Sequence, residues 1–356
     1  MFPQPIASLI RLAVITRENG GVDARRMHRL VALMARYLLS EPFRWAERTW
    51  VAPRVAEHVI PSDPVFVLGY WRSGTTYLQR LLSCDPQMVT PSLYDCLFAD
   101  MSAVTRTWLE PTLNAVARTL RLKYSVQRMP LDFGQPSETD VALCIQLCLQ
   151  SSNWGHIFPR RFNNWMNRCA SDPISEEAQN WLDATDTFLR KCSWAADGRR
   201  VVLKSPIYTA RVPLLLQRYP NARFVYIHRD PISVFHSNRY LWSVILKHFS
   251  LQNLTSEEVD ATIIQSYRFL LERYLQQRDQ VPPSKLTELR YEDLLKNPES
   301  EMIRIYSQLD LGPLPDTVRD QFALHNSYHS NVYKKAPTLE ALLREEWAFA
   351  FREWQM

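Results

Sequence analysis

Short apolar runs alternate along this chain with longer segments in which apolar residues recur every three or four positions. The runs at 65–68, 201–203 and 224–227 are at most four residues long and predict buried strands, and we predict a fourth strand at 286–289. Residues 1 to about 60 follow the helical period and carry no strand signal. Strands that alternate with helices are typical of an α/β fold. We therefore predict a doubly wound parallel sheet of about four to five strands with large helical insertions.

The same pattern predicts how the chain is organised. We expect a helical region over residues 1–60 that packs on the core of a larger domain over 61–356, and a single domain overall, because 356 residues can bury one large core. Serine and proline mark helix starts. Ser205 and Pro206 predict the N-cap and first residue of a helix that continues to about Arg218.

The first strand leads into a loop whose residue types suit an anion. Gly69 ends the apolar run, Arg72 and Ser73 follow, and Gly74 precedes an amphipathic helix that begins near Thr75. The N–H groups and the dipole of a helix N-terminus favour a phosphate there. The glycine spacing is that of a phosphate loop, but a threonine stands where nucleoside triphosphatases have lysine. The pattern therefore indicates a phosphate ligand other than ATP or GTP.

A second turn of this kind follows the strand at 224–227. Arg229 lies where the strand ends, Pro231 suits the first turn of a helix, and Ser237 falls about two turns later. A guanidinium fork and a hydroxyl are groups that bind phosphate well. Two such strand-loop-helix units can hold two phosphate groups of one nucleotide.

With these motifs the chain resembles the sulfotransferases that use 3′-phosphoadenosine 5′-phosphosulfate (PAPS), in particular bacterial-type members with a P-loop-like fold. Segment 69–76 is similar to their 5′-phosphosulfate loop and 225–237 to their 3′-phosphate site. Segments 201–206 and 289–294 match two further motifs in the same order. The resemblance extends from about 64 to 335 and implies PAPS as the sulfuryl donor.

The resemblance also implies roles for individual residues. The loop residues that would hold the 5′-phosphosulfate, the first of them also catalytic, are Arg72, Ser73, Gly74, Thr75 and Thr76. The 3′-phosphate is assigned to Arg229 and Ser237, with Lys334 and Lys335 as a second clamp. Tyr291 is expected beside the adenine.

Transfer also needs a group at the leaving oxygen and a base for the acceptor proton. Lys204, after the second strand, is expected at the leaving oxygen, although it fits equally well as the partner of a carboxylate. Two bases stay open. Glu138 follows a proline-broken loop and fits equally well as a group that complements a helix N-terminus. His156 is the residue type that cytosolic sulfotransferases use, and Asp95 and Asp140 are weaker candidates.

The composition of the chain indicates which classes of partner to expect. The net charge of +5 is carried by scattered residues, which argues against nucleic-acid binding. The six cysteines show no metal-binding spacing and need no disulfides, so we expect no metal site and a cytoplasmic protein. No segment approaches the ~20 apolar residues of a membrane helix, and no signal peptide is visible. Residues 25–54 are basic and aromatic, which fits either a docked helix or a peripheral membrane contact.

The leading hypothesis is a sulfotransferase that acts on a small or lipid-like acceptor, a hydroxyl compound or an amine. Aromatic residues in the long helical insertion, including Trp154 and Trp165, favour an amphiphilic acceptor. The alternatives are a phosphate-loop kinase and a catalytically silent nucleotide-binding homologue. A monomer or a homodimer fits the sequence equally well.

Overall fold

The computed structural model describes residues 4–61, 63–124, 129–146, 151–169, 173–325 and 337–355. The chain forms two compact units. The helical unit comprises Met1–Ile60, Pro91–Gly198 and Leu241–Glu258. The sheet unit comprises Pro61–Thr90, Arg199–Tyr240 and Val259–Met356. The predicted division of the chain near residue 60 stays a prediction.

The sheet unit is built on five parallel strands. The seven strands of the described chain are β1 Val65–Leu68, β2 Met88–Val89, β3 Lys123–Tyr124, β4 Met129–Pro130, β5 Arg200–Lys204, β6 Arg223–His228 and β7 Leu286–Arg290. The parallel sheet has the order β2-β5-β1-β6-β7, and β3 and β4 form a separate antiparallel pair in the helical unit. The α/β prediction with a parallel sheet of four to five strands is confirmed.

Helices make up most of the remaining structure. The α-helices are α1 Gln4–Glu18, α2 Met27–Leu39, α3 Glu41–Ala46, α4 Ala52–Glu57, α5 Thr75–Ser83, α6 Leu93–Leu97, α7 Ser102–Thr119, α8 Thr139–Ile145, α9 Asn153–Ile157, α10 Phe162–Cys169, α11 Glu176–Trp194, α12 Val212–Arg218, α13 Pro231–His248, α14 Ser256–Gln277, α15 Tyr291–Lys296, α16 Pro298–Gln308, α17 Asp316–His325, α18 Pro337–Glu346 and α19 Ala348–Glu353. Among the described residues, none of these helices has the length and apolar content needed to cross a bilayer.

The core of the sheet unit explains why the strand β1 is apolar throughout. All four residues of β1 are buried, since the strand lies at the centre of the sheet with helices on both faces. The Phe66 ring stacks on Phe224 of β6 at 5.6 Å and meets Tyr208 edge-on at 5.4 Å. At the amino ends of the strands, Asp63 forms ion pairs with Arg200 and Arg223.

The helical unit has a core of its own. Residues of α1 and α2 pack there with aromatic residues of α9 and α10; the fully buried members are Leu12, Ile15, Tyr37, Cys144, Trp154, Phe158, Trp165 and Leu251. Two arginines near the start of α2 reach the last turn of α13. Arg26 donates to the carbonyl oxygens of Leu246 at 2.5 Å and Ser250 at 2.8 Å, and Arg29 donates to that of Ser250 at 2.7 Å.

Local sequence signals were wrong at one helix start and missed the short strands. Ser205 is extended but its side chain makes no capping hydrogen bond, and the chain continues as a 3-10 turn, Pro206–Ala210, before α12 begins at Val212. Strands β2, β3 and β4 have two residues each, too few to show a period.

Candidate functional site

The loop between β1 and α5 is shaped by close backbone approaches. A Cβ atom at Gly69 would lie 2.5 Å from the carbonyl oxygen of Ile227 on β6, and the Gly69 φ angle is +137°. The Gly69 N–H donates to Thr209 Oγ1 at 2.9 Å. At Ser73, the hydroxyl donates to the Tyr70 carbonyl at 2.7 Å, which closes the turn. Glycine is therefore required where the strand ends, because another backbone passes too near for a side chain.

Helix α5 begins directly after this turn. Its first hydrogen bonds run from the N–H groups of Tyr77 and Leu78 to the Gly74 carbonyl. The N–H groups of Thr75 and Thr76 precede these bonds and lie at the positive end of the helix dipole. The Thr75 side chain is buried and that of Thr76 partly exposed. The predicted strand, loop and helix N-terminus are all present.

Arg72 connects the two predicted anion-binding motifs. Its φ angle is +69°, and its Nε donates to Ser237 Oγ on α13 at 2.9 Å. The next residue of α13, Asn238, donates to the Trp71 carbonyl at 2.8 Å. The sequence predicted Arg72 and Ser237 at different phosphate groups, whereas the structure brings them into direct contact. The structure also places Asn238 at this cluster. Its polar side chain directly after Ser237 was the sequence signal that could have identified it.

Arg229 and Tyr291 complete this cluster. The Arg229 guanidinium carbon lies 4.9 Å above the Tyr291 ring, and Nη1 donates to the Arg72 carbonyl at 3.4 Å. The Tyr291 ring lies so near Gly74 that a Cβ atom there would come within 2.2 Å of it. Glu292 is the nearest carboxylate, 4.0 Å from Arg229 Nε. Two guanidinium groups thus stand together at a helix N-terminus, an arrangement that attracts an anion.

Lys204 ends β5 beside the same loop. Val67 of β1 is its partner in the sheet register, and the lysine is only 2% exposed. The adjacent Ser205 has a fully buried hydroxyl that hydrogen-bonds to none of the described residues. A buried hydroxyl of this kind is costly unless a ligand or water satisfies it. The end of β5 therefore offers polar groups to a bound molecule.

Both predicted bases lie in the helical unit. Glu138 is the half-buried N-cap residue of α8, with no capping hydrogen bond from its side chain. His156 lies on α9 between the rings of Phe162 and Trp242, each about 5 Å away by ring centroid, and its Nδ1 is 3.2 Å from Asn153 Oδ1. Burial lowers the pKa of His156 to about 4, while the charge of Glu138 acts in the opposite direction.

The weaker acidic candidates have structural partners. Asp140 Oδ2 accepts hydrogen bonds from Ser152 Oγ at 2.6 Å, Ser151 Oγ at 3.1 Å and the Asn153 N–H at 3.0 Å. Asp140 thus holds the start of α9. Asp95 forms a capping box with Ser92 on α6 and an ion pair with Arg106.

One further histidine lies near the site, and the predicted lysine clamp lies outside the described residues. His228, the last residue of β6, stacks on Trp354 with ring centroids 3.9 Å apart. Burial, and secondarily Arg290, lower the pKa of His228 to about 4. Lys334 and Lys335 lie outside the described residues. Within the described ranges, no group of three or more His, Cys, Asp or Glu side chains is arranged to hold a metal ion.

Comparisons with known proteins agree with this geometry. A sequence model of the sulfotransferase family matches residues 64–316. Relatives include omega-hydroxy-beta-dihydromenaquinone-9 sulfotransferase Stf3 of Mycobacterium tuberculosis and of Mycobacterium bovis, each 30% identical over 299 residues, which cover 83% of this chain and 75% of the relative.

Solved structures share the fold. Sulfotransferase STF9 from Mycobacterium avium superposes with a TM-score of 0.68 at 21% identity and covers 87% of this chain and 81% of its own. Sulfotransferase STF1 from Mycobacterium tuberculosis superposes with a TM-score of 0.68 at 19% identity. The superposition covers 97% of this chain and 92% of the STF1 chain. The P-loop-like arrangement of the sheet and its loop is therefore the fold of these enzymes.

Proposed function

Because this chain belongs to the sulfotransferase family, we propose that it transfers the sulfuryl group of PAPS to a hydroxyl or amine of a small or lipid-like acceptor. The observation that carries the proposal is the hydrogen bond between Arg72 and Ser237, at 2.9 Å. It joins the 5′-phosphosulfate loop and the 3′-phosphate motif in one cationic cluster. A nucleotide with phosphates at both ends of its ribose suits such a cluster, since each motif can bind one of them.

The sulfuryl donor would lie across the carboxyl ends of β1, β5 and β6. The N–H groups at the start of α5 and the Ser73–Thr76 turn would bind the 5′-phosphosulfate. Arg229 and Ser237 would bind the 3′-phosphate, and Arg72 would bridge the two anions. Tyr291 supports Arg229 through its ring, 4.9 Å away, and its adenine contact stays a prediction.

The chemistry would be an in-line displacement at sulfur. The acceptor oxygen forms a bond to sulfur while the bond from sulfur to the 5′-phosphate oxygen breaks, and negative charge grows on that leaving oxygen. Lys204 would stabilise this charge, because its ammonium belongs to a buried strand end where electrostatic stabilisation is strong. The acceptor proton passes to a carboxylate or histidine base.

Glu138 is the base that we favour. A base must reach the acceptor hydroxyl, so its side chain must be accessible. Glu138 is half-buried, whereas His156 is 8% exposed and enclosed by aromatic rings. An imidazole with a pKa of about 4 also holds an abstracted proton poorly at neutral pH. His156 then serves as a neutral neighbour of the carboxylate.

The acceptor class is inferred from a relative. The name of Stf3 states that it sulfates a hydroxylated menaquinone, which is a lipid. We propose a lipid-like alcohol for this chain as well. The aromatic residues Trp154 and Trp165 add no support, because both side chains are fully buried in the core of the helical unit.

A thermal-shift titration with 3′-phosphoadenosine 5′-phosphate tests the nucleotide assignment. A ligand at a hundred times its dissociation constant stabilises the native state by about 2.7 kcal/mol, which raises the melting midpoint by several degrees. We expect this shift in the wild type and its loss in Arg229→Ala. The matched control is Arg319→Ala, which removes an exposed arginine of α17 and should keep the shift.

Other outcomes would reject the proposal. A shift with ATP and Mg²⁺ alone would favour the kinase. A shift with 3′-phosphoadenosine 5′-phosphate, but no transfer from PAPS to any alcohol or amine offered, would favour the catalytically silent homologue. An equal loss of the shift in both variants would show that Arg229 has no specific part in binding.

A further inference from the structure

Helix α2 of the helical unit is apolar on two sides. Leu30, Leu33 and Tyr37 face inward and pack in the core of the unit. A second set is exposed to solvent; this outer stripe consists of Met27, Val31, Met34 and Leu38. The spacing of four, three and four residues places its members in one line along the helix. An amphipathic helix that only covers a core has no need of this second stripe.

The outer stripe has apolar neighbours. Leu39 at the end of α2 is 78% exposed. Helix α1, which packs against α2, exposes Ile10 and Val14, four residues apart on one face. Among the described residues nothing covers these side chains. So many exposed apolar side chains on two packed helices usually mark a site of interaction.

Tryptophan is concentrated on the neighbouring elements. Phe43 of α3 and Trp108 of α7 contact each other with ring centroids 5.7 Å apart, and both are exposed. Trp45 and Trp50, also exposed, meet edge-on at 5.7 Å. Exposed tryptophan pairs are costly in water but favourable at the level of lipid headgroups, where the ring is half in an apolar medium.

The charge of this segment is predominantly positive. Residues 4–54 contain nine arginines, no lysine and four acidic residues. Three of these acids, Asp23, Glu41 and Glu47, already form ion pairs. The exposed Arg11, Arg17 and Arg25 pair with no carboxylate in the part of the chain that the structure describes. A partner of negative charge is therefore favoured.

We propose that the outer stripe of α2 docks the helical unit on a bilayer that contains anionic lipids. The stripe and the exposed tryptophans enter the headgroup region, and the arginines bind lipid phosphates. A second copy of this chain is a poorer occupant, because a two-fold interface would bring the same arginines of both subunits together. The inference goes beyond the proposed transfer reaction and does not depend on it.

Vesicle co-sedimentation of the full chain tests the proposal. We expect binding to phosphatidylcholine vesicles with about a third phosphatidylglycerol, and little binding to pure phosphatidylcholine. Replacing Val31 and Leu38, which are 58% and 50% exposed, by glutamate should weaken binding at least about tenfold. Replacing Arg11 and Arg25 by glutamine should weaken it about fivefold per arginine at low salt.

The matched control carries the same change on the sheet unit. Ile303 of α16 and Leu342 of α18 are 45% and 43% exposed, and the Ile303→Glu, Leu342→Glu variant should bind vesicles as the wild type does. A cooperative thermal unfolding transition close to that of the wild type shows that each variant is folded. The proposal is wrong if wild type ignores the anionic vesicles or if both double variants lose binding equally. It is also wrong if the stripe variant only turns a dimer into a monomer in sedimentation equilibrium.

Discussion

Gly74 holds the anion-binding loop in a position that a side chain would disturb. Its φ angle is +105°, and the Tyr291 ring occupies the place of a Cβ atom. The same ring supports the Arg229 guanidinium at 4.9 Å. At the scale of single residues, one contact therefore couples the backbone of the loop to the arginine of the second motif.

Gly74→Ala should lower the free energy of unfolding by about 2–4 kcal/mol, because it adds backbone strain to a ring clash. Denaturant unfolding measures this loss. Gly312→Ala is the matched control, since Gly312 has a φ of +88° but nothing within 4 Å of the added Cβ. It should lose only about 1–2 kcal/mol, the conformational part. Equal losses in the two variants would show that the clash with the Tyr291 ring does not contribute to the loss of stability.

Glu138→Gln should reduce kcat about 10²- to 10⁴-fold if Glu138 is the base, because the amide cannot accept the acceptor proton. The response to 3′-phosphoadenosine 5′-phosphate should stay unchanged, because glutamine keeps the size of the side chain and Glu138 is not assigned to the nucleotide. His156→Gln is the comparison. A greater loss of kcat in that variant, with its fold intact, would transfer the role of base to His156.

At the scale of elements, α9 depends on a carboxylate from another helix. The Asp140 carboxylate of α8 accepts hydrogen bonds from each of residues 151–153, and α9 then carries His156 beside Phe162 and Trp242. Sequence spacing gave no sign of the real partner, since it lies on the next element.

Asp140→Ala should lower the free energy of unfolding by about 2–4 kcal/mol, because buried donors lose their acceptor. Asp140→Asn keeps one acceptor oxygen and should lose less. Denaturant unfolding of the two variants separates the contribution of the hydrogen bonds to the free energy of unfolding from that of the carboxylate charge. Wild-type stability in Asp140→Ala would contradict the anchoring role.

The elements differ in how far the sequence predicts them. The strand at 65–68 was predicted to the residue because its four apolar residues end at a glycine. The start of α12 was misplaced because Ser205 and Pro206 open a 3-10 turn with the same local signals as a helix. The loop residues of the site were predictable from motif spacing, but the contact between Arg72 and Ser237 was not, since 165 positions separate them.

At the scale of the whole molecule, buried histidines make stability depend on pH. Burial lowers the pKa of His156 and of His228 to about 4, against about 6.5 in an unfolded chain. The unfolded chain therefore binds more protons between pH 6.5 and 4. The stabilising effect of neutral histidine is complete above pH 6.5 and is lost as the pH falls toward 4.

His156 alone should account for a loss of about 2 kcal/mol between pH 7 and pH 5. Urea unfolding at these two values measures the slope. In His156→Gln the slope should be shallower. An identical slope in wild type and His156→Gln would show that His156 is not buried as a neutral ring.

Turnover should withstand metal removal. A sulfuryl group carries less charge than a phosphoryl group, and Arg72, Lys204 and Arg229 supply positive charge of their own. We therefore expect EDTA to leave the rate of transfer from PAPS unchanged within a factor of about two. A loss that Mg²⁺ restores would contradict this mechanism.

Two arginines near the start of α2 bind the end of α13, and this contact limits where the chain can be cut into fragments that fold. The family model matches from residue 64, yet Arg26 and Arg29 bind carbonyl groups at the end of α13, and Leu12 and Tyr37 complete the core around Trp154. A fragment cut at residue 64 would expose those aromatic rings and leave the helix end unsatisfied. The smallest fragment that can fold is therefore longer than the segment that the family model matches, and it includes the first two helices.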